Sequence, residues 1–328
     1  MSEQLPSAMR LDQAFDDPVA IRRLVEVNGP FASIASYLPP AATGVRSGGD
    51  GLDDVLPWFR SNWVVNGRSM VDGAEAILYN HRFVAAACAF LDVDAVEPST
   101  VVVNVNAPMR AGAIHQDIPA FRGAGRDRYS LTLLQAMGTS GLFEPWRIVE
   151  VGAVSWFYAG DGGAYDYWPD GLDGPMASER PPFDNVALLA DNDRMFHRIG
   201  WVGAVDAPSL PITSAATIDH HDDGTWTISD QQTDVATYPD ADVRISILWK
   251  ARPARVTDDP PPLRAEQIVA IIDADLAERG AARAHDASVL DDDGWLRHVH
   301  DTYYPDITGA FLSLQRGPRV RPRAQRHR

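Results

Sequence analysis

Apolar positions change their spacing along the chain, and the changes mark its elements. Residues 20–27 (AIRRLVEV) repeat at helical intervals behind Asp16, Asp17 and Pro18, so residues 1–30 read as helical. Residues 37–57 (YLPPAATGVRSGGDGLDDVLP) are rich in Pro, Gly and Asp and read as a loop. From about Asp72 to Leu91 the stretch is alanine-rich and lacks Pro and Gly after Gly73, which predicts one long helix. At Pro98 the character changes. As far as Ala251 the chain runs in short β-branched or aromatic segments broken by turns: TVVVNVN, GAIHQDI, RYSLTLLQAM, RIVEVGAVSWFY, NVALLA, RMFHRIGWVG, GTWTISD and VRISILWKA. About eight strands without interleaved helices predict a sandwich, jelly roll or barrel and not a doubly wound parallel sheet. Two helices follow DDPPP, over RAEQIVAIIDADLAERG and around SVLDDDGWLRHVHDTYY. The expectation is an α+β, mainly β, single catalytic domain over 1–315. Its β core spans about 98–251, its helical flanks about 11–97 and 263–305, and a disordered tail covers 316–328.

Charge narrows the function. The 328 residues carry a formal net charge of −16. The tail RGPRVRPRAQRHR holds six arginines and no acid, which leaves −22 on the remainder. A body this acidic does not suit nucleic acid, whose phosphates need a basic face. The single cysteine, Cys88 in FVAAACAF, excludes a disulfide framework and a Cys-rich metal site, and reads as a buried small hydrophobe. No stretch reaches the roughly 18 apolar residues of a membrane span. The N-terminus lacks the basic-then-apolar pattern of a signal peptide, so a cytoplasmic location is expected.

Nucleophile elbows, dinucleotide and phosphate loops and HExxH are all absent. What remains is His115-Gln116-Asp117 in a predicted strand, where residues i and i+2 share a face and can be adjacent metal ligands. Nine histidines among so many aspartates make about one His-x-Asp by chance. The two others, from His220 and His221, fall in DHHDDGTW, a turn between strands. His197 in DNDRMFHRIGWVG offers a third ligand and completes a two-His-one-carboxylate set, the arrangement of non-heme Fe(II) oxygenases. In the last core strand Arg244 and Ser246 share a face and can bind a carboxylate. Each residue also has a plainer reading. His115 and Asp117 can be a hydrogen-bonded pair at a strand end, His197 a satisfied core histidine, and Arg244 half of a structural ion pair. Asn104 and Asn106 line the site or bond backbone at a strand end, and Gln135 reaches a bound ligand or, the favoured reading, is an ordinary core-edge amide. The aromatics Trp156, Phe157, Tyr158, Tyr165, Tyr167 and Trp168 bracket a Gly/Asp/Pro-rich stretch, and residues 160–182 form a lid or a packed surface loop. Arg122, Arg126 and Arg128 steer an acidic substrate or, the favoured reading, pair with local acids.

The order HQD, FHR, RIS on successive strands of a β core resembles the Fe(II)/2-oxoglutarate-dependent oxygenases, over roughly Val101 to Lys250. The resemblance implies a double-stranded β-helix (a cupin-like jelly roll). It also implies Fe(II) held by His115, Asp117 and His197, and the far carboxylate of 2-oxoglutarate held by Arg244 and Ser246. The reaction implied is O2-dependent hydroxylation, or a related oxidation, of an unactivated C–H, with 2-oxoglutarate converted to succinate and CO2. The halogenating branch of the family replaces the carboxylate ligand with a small residue, so Asp117 favours hydroxylation. Residues of about 203–240 lengthen the usual spacing between the distal His and Arg-x-Ser and are expected to loop out. Arg198, beside His197, is expected to leave the opposite face of its strand. The expected partner is a small molecule, an amino acid derivative or a secondary metabolite, with no nucleic acid and no membrane; the sequence leaves the oligomeric state open. The rival readings are a cupin-type metalloenzyme that does not use 2-oxoglutarate and a non-catalytic ligand-binding β-sandwich.

Overall fold

The computed structural model describes residues 8–37, 55–205, 210–254, 260–281 and 284–304. Residues 38–54 of the loop expected over 37–57, and the arginine tail 316–328, lie outside them. The described residues divide into two compact units: those within 8–116 and 149–254 form the first, and those within 117–148 and 260–304 the second.

The first unit is built around two long strands. TVVVNVN and VRISILWKA are rich in β-branched residues, and they form the ends of β5 (Val96–Asn106) and β14 (Arg244–Pro253), which pair antiparallel from Asn106 and Arg244 onward. To one side, β14 pairs with β6 (Val151–Phe157), which pairs with β9 (Ala187–Ala190), and β9 with β1 (Ala8–Leu11). To the other side, β5 pairs with β3 (Trp58–Val65), which carries the short β4 (Arg68–Ser69) and leads to β2 (Phe31–Ser33). Beyond β2 come β11 (Thr217–His220), β12 (Thr225–Asp230) and β13 (Thr233–Pro239). A second, three-stranded sheet has the order β10 (Phe196–Ile199), β7 (Tyr165–Trp168), β8 (Ala177–Glu179).

The pleat gives the large sheet two unlike faces. Val103, Val105, Ile245, Ile247 and Trp249 lie in the main apolar core together with Val25 of α1 (Pro18–Glu26) and Phe83 and Ala87 of α3 (His81–Leu91). Each such Val or Ile stabilises the fold by about 1.5–3 kcal/mol. The alternate positions of β5 and β14 are Asn104, Asn106, Arg244 and Ser246, all buried. Their face carries Trp156 and Leu188, which cluster with Tyr165 and Ile199 of the small sheet.

Several expectations are corrected. Residues 8–11 are strand and not helix, because they complete the edge beside β9. α1 starts where expected: Asp17 caps it, accepting from the Ala20 N–H at 2.9 Å, with Pro18 in its first turn. The long helix is two, α2 (Glu75–Leu78) and α3. Asn80 divides them. Its side chain accepts from the Arg82 and Phe83 N–H groups and donates to the Ala14 carbonyl at 2.8 Å. Asn80→Ala therefore loses a cap and a buried bond and should cost about 1–3 kcal/mol, read as a lower urea midpoint. RYSLTLLQAM is not a strand: it holds α4 (Leu131–Ser140), capped by Ser130 at its start and by left-handed Gly141 at its end. Gln135 is on that helix. GAIHQDI forms no regular strand, only a single bridge at His115. The described part of 203–240 does not loop out; it supplies β11, β12 and β13, with DHHDDGTW crossing the turn between the first two. Residues 160–182 contain β7 and β8. Cys88 is half-buried, not buried.

The second unit packs α4 with α5 (Ala265–Glu278) and α6 (Asp293–Tyr303), the two helices expected after DDPPP. Leu133, Met137, Ile272 and Leu296 are in its core. Tyr303 donates to Asp275 at 2.6 Å, and burial pushes its phenol pKa up, further raised by that carboxylate. Arg122, Arg126 and Arg128 here bond the backbone carbonyls of Pro260, Ile118 and Gly123.

Candidate metal centre

His115 and His197 face each other as a backbone-bonded antiparallel pair. The His115 N–H donates to the His197 carbonyl at 3.0 Å, and the His197 N–H returns the bond at 2.9 Å. Directly opposed residues put their side chains on one face. The two ring centroids lie 4.4 Å apart. His115 is half-buried and His197 buried. Asp117 follows two residues after His115, and one ligand atom from each of the three residues lies within 4.8 Å of the others.

Backbone carbonyls orient both rings. Nδ1 of His115 is 2.9 Å from the Ala113 carbonyl oxygen, and Nδ1 of His197 is 3.0 Å from that of Met195. A carbonyl only accepts, so each Nδ1 donates, which is the tautomer in which a neutral ring presents its Nε2 lone pair. This arrangement orients a ligand histidine and fixes its tautomer. Two imidazoles and one carboxylate suit a first-row divalent ion with open positions. The His197 ring also stacks on Tyr165, at 5.5 Å between centroids and 29° between planes. Tyr165 was expected beside an irregular loop. It lies in β7, and the aromatic-polar alternation of YDYW was the available signal.

Arg244 is 2% exposed. Its Nε donates to the Gly163 carbonyl at 2.8 Å, one terminal nitrogen lies 3.5 Å from Asn106 Oδ1, and its Cζ sits 5.8 Å from the Phe183 ring centroid. Among the described residues no carboxylate pairs with it, so the expected alternative of a structural ion pair is not seen. Burial pushes its pKa down to about 9, which still leaves it charged at neutral pH. Ser246, two residues on, is 6% exposed and shares that face. Asn104 accepts from Trp58 Nε1 and Arg60 Nε, both at 3.0 Å, so the asparagines bond side chains on this face. Arg198 points the other way, as expected, and pairs with Asp166 at 2.9 Å. Phe183 and Gly163 were not anticipated; nothing in their local sequence marks them as neighbours of Arg244.

A second group, Glu26, His220 and Asp240, also brings ligand atoms together. Its cation is a protein group: Arg22 pairs with Glu26 at 3.0 Å and with Asp240, while Trp226 Nε1 donates to Asp240 at 2.8 Å. Among the described residues no helix is long and apolar enough to cross a membrane.

No family model matches the chain, and no curated protein matches it. Among solved structures it is similar to a 2OG-Fe(II) oxygenase family oxidoreductase from Burkholderia pseudomallei, at 11% identity and a TM-score of 0.40, covering 79% of this chain and 89% of that one. It is similar to a Pseudomonas putida prolyl-4-hydroxylase, at 12% identity and a TM-score of 0.35, covering 76% and 94%. A third is HygX from Streptomyces hygroscopicus with nickel, 2-oxoglutarate and hygromycin B bound, at 8% identity and a TM-score of 0.36, covering 77% and 86%.

Proposed function

We propose that this protein is an Fe(II)- and 2-oxoglutarate-dependent oxygenase that oxidises an unactivated C–H of a small molecule. The observation that carries the reading is Arg244, a buried cation with no carboxylate partner among the described residues, on a sheet whose unit also holds the facing His115 and His197. A buried charge is costly unless it is paired, and a dicarboxylate cosubstrate supplies the pair. In this reading β5, β14, β6 and β9 are one sheet of a double-stranded β-helix, and the His115 segment with β10, β7 and β8 is the other.

His115, Asp117 and His197 would hold Fe(II), which supplies activation of O2 coupled to decarboxylation of 2-oxoglutarate. The chain's own groups do the rest. The Ala113 and Met195 carbonyls hold the imidazoles in one tautomer. Asp117 contributes a negative charge that favours a divalent cation. Arg244 and Ser246 take the far carboxylate and fix the reach of the cosubstrate. Trp156, Phe183 and Tyr165 form an apolar, water-poor wall. The net charge of −22 outside the arginine tail disfavours polyanions, so the substrate is read as a small molecule, such as an amino acid derivative or a secondary metabolite.

The test uses the purified protein under anaerobic conditions with Fe(II) and 2-oxoglutarate. A weak visible charge-transfer band is expected, and succinate should accumulate once O2 is admitted with a panel of candidate substrates. Absence of both the band and succinate sinks the proposal.

A further inference from the structure

A carboxylate has about four lone-pair positions, and Arg244 with Ser246 does not fill them. The Nε of Arg244 is already spent on the Gly163 carbonyl, which leaves its terminal nitrogens for an anion. Ser246 adds one hydroxyl. Directly across from Ser246 on β6 is Trp156. Opposed residues of an antiparallel pair share a face, so the indole belongs to the same patch as the guanidinium. Both pack on one ring: Phe183 stacks on Trp156 at 4.9 Å and 26°, and carries the Arg244 Cζ at 5.8 Å.

Trp156 is 1% exposed, and its Nε1 is buried with no hydrogen-bond partner. The rings stacked around it do not supply one: Phe183, 4.9 Å away by ring centroids, has no acceptor, and Tyr165, at 5.3 Å by ring centroids, directs its hydroxyl to Asn192 Oδ1 at 3.3 Å. Trp63 and Trp295 also have partnerless buried Nε1 atoms, but Trp63 belongs to the main apolar core and Trp295 to the helical one. Only Trp156 of the three stands opposite Ser246, beside a buried cation.

We propose that the indole N–H of Trp156 is a third donor to the carboxylate that Arg244 and Ser246 hold, an inference that rests on the 2-oxoglutarate reading. The indole closes the anion site on the side of β6. It also favours cosubstrates with a far carboxylate over shorter 2-oxo acids, because a short acid leaves both the cation and the indole without an acceptor.

The experiment is a titration of Zn(II)-loaded protein with 2-oxoglutarate, then with pyruvate, which keeps the 2-oxo acid end and lacks the far carboxylate. Calorimetry gives the dissociation constants. The indole N–H resonance of Trp156, assigned through bonds, reports on the hydrogen bond itself. The resonance is expected to move downfield with 2-oxoglutarate and to stay in place with pyruvate. Trp156→Phe should weaken 2-oxoglutarate about 10-fold, the effect of one bond to a charged group, and leave pyruvate unchanged. If wild type binds 2-oxoglutarate in an Arg244-dependent way but the resonance does not move, the inference is overturned and the oxygenase reading stands. If wild type does not bind 2-oxoglutarate, or binds it independently of Arg244, the reading beneath it falls. Should Trp156→Phe fail to fold, the wild-type resonance decides by itself.

Discussion

Arg244→Met is expected to weaken 2-oxoglutarate binding by about 100-fold while the ligand-free protein stays as stable as wild type or becomes more so. The two effects have one cause. In the ligand-free protein the guanidinium is 2% exposed, and among the described residues it has only the Gly163 carbonyl and Asn106 as hydrogen-bond partners. Desolvating it costs free energy that no carboxylate among the described residues returns, and burial accordingly depresses its pKa to about 9. Methionine has similar length, keeps the packing on Phe183 and removes the charge. With the cosubstrate bound the balance reverses, because the anion supplies the missing partner. Calorimetry against 2-oxoglutarate and urea unfolding without ligand are the two measurements. A loss of about 3–5 kcal/mol in the ligand-free unfolding free energy would mean that the cation already has a strong protein partner, and the site would lose its rationale. Retained 2-oxoglutarate binding would favour a cupin-type enzyme that does not use this cosubstrate.

The second large effect is at the metal. Asp117→Ala leaves both histidines and their mutual backbone bonds in place but removes the only carboxylate of the group. Changes in the groups around a metal ligand already cost 10–100-fold in metal affinity, so loss of a ligand is expected to exceed about 100-fold. Succinate formation should fall to background, and iron retained after dialysis should fall with it. The anion site needs no metal to keep its charge, so glutarate should still raise the stability of this variant. Full retention of iron would mean that the three residues are together by chance, and the protein would then be better read as a ligand-binding β-sandwich.

Legibility differed sharply along the chain. β5 and β14 were evident because long β-branched runs have no good helical alternative. RYSLTLLQAM misled because short apolar runs fit both periods. The decisive marks were its ends, Ser130 accepting from the Leu133 N–H and Gly141 in the left-handed region, and not its interior. β1 could not be seen locally: four residues become a strand only because β9, far along the chain, offers an edge. The break at Asn80 was hidden because a helix cap in the middle of an alanine-rich stretch looks like one more polar position. The residues of the candidate site were legible independently of the fold around them. A metal needs particular atoms, so HQD, FHR and RIS carry their chemistry in their side chains whether or not the strands are drawn correctly. GAIHQDI illustrates this, since it makes only one bridge and still sets His115 opposite His197. The Arg244–Phe183 contact is different. It depends on a cross-chain approach that no local pattern encodes.

Both histidines anchor Nδ1 on a carbonyl two residues earlier in the chain, Ala113 for one and Met195 for the other. That choice has a genetic consequence. A carbonyl belongs to every residue type, so no substitution at 113 or 195 can delete the acceptor as replacing an aspartate or asparagine would. In the proposed reading the orientation of the two histidines is thus insulated from mutation, and the heritable fragility of the candidate centre is concentrated in the side chains of His115, Asp117 and His197. Positions 113 and 195 can change in sequence while the acceptors they offer stay in place.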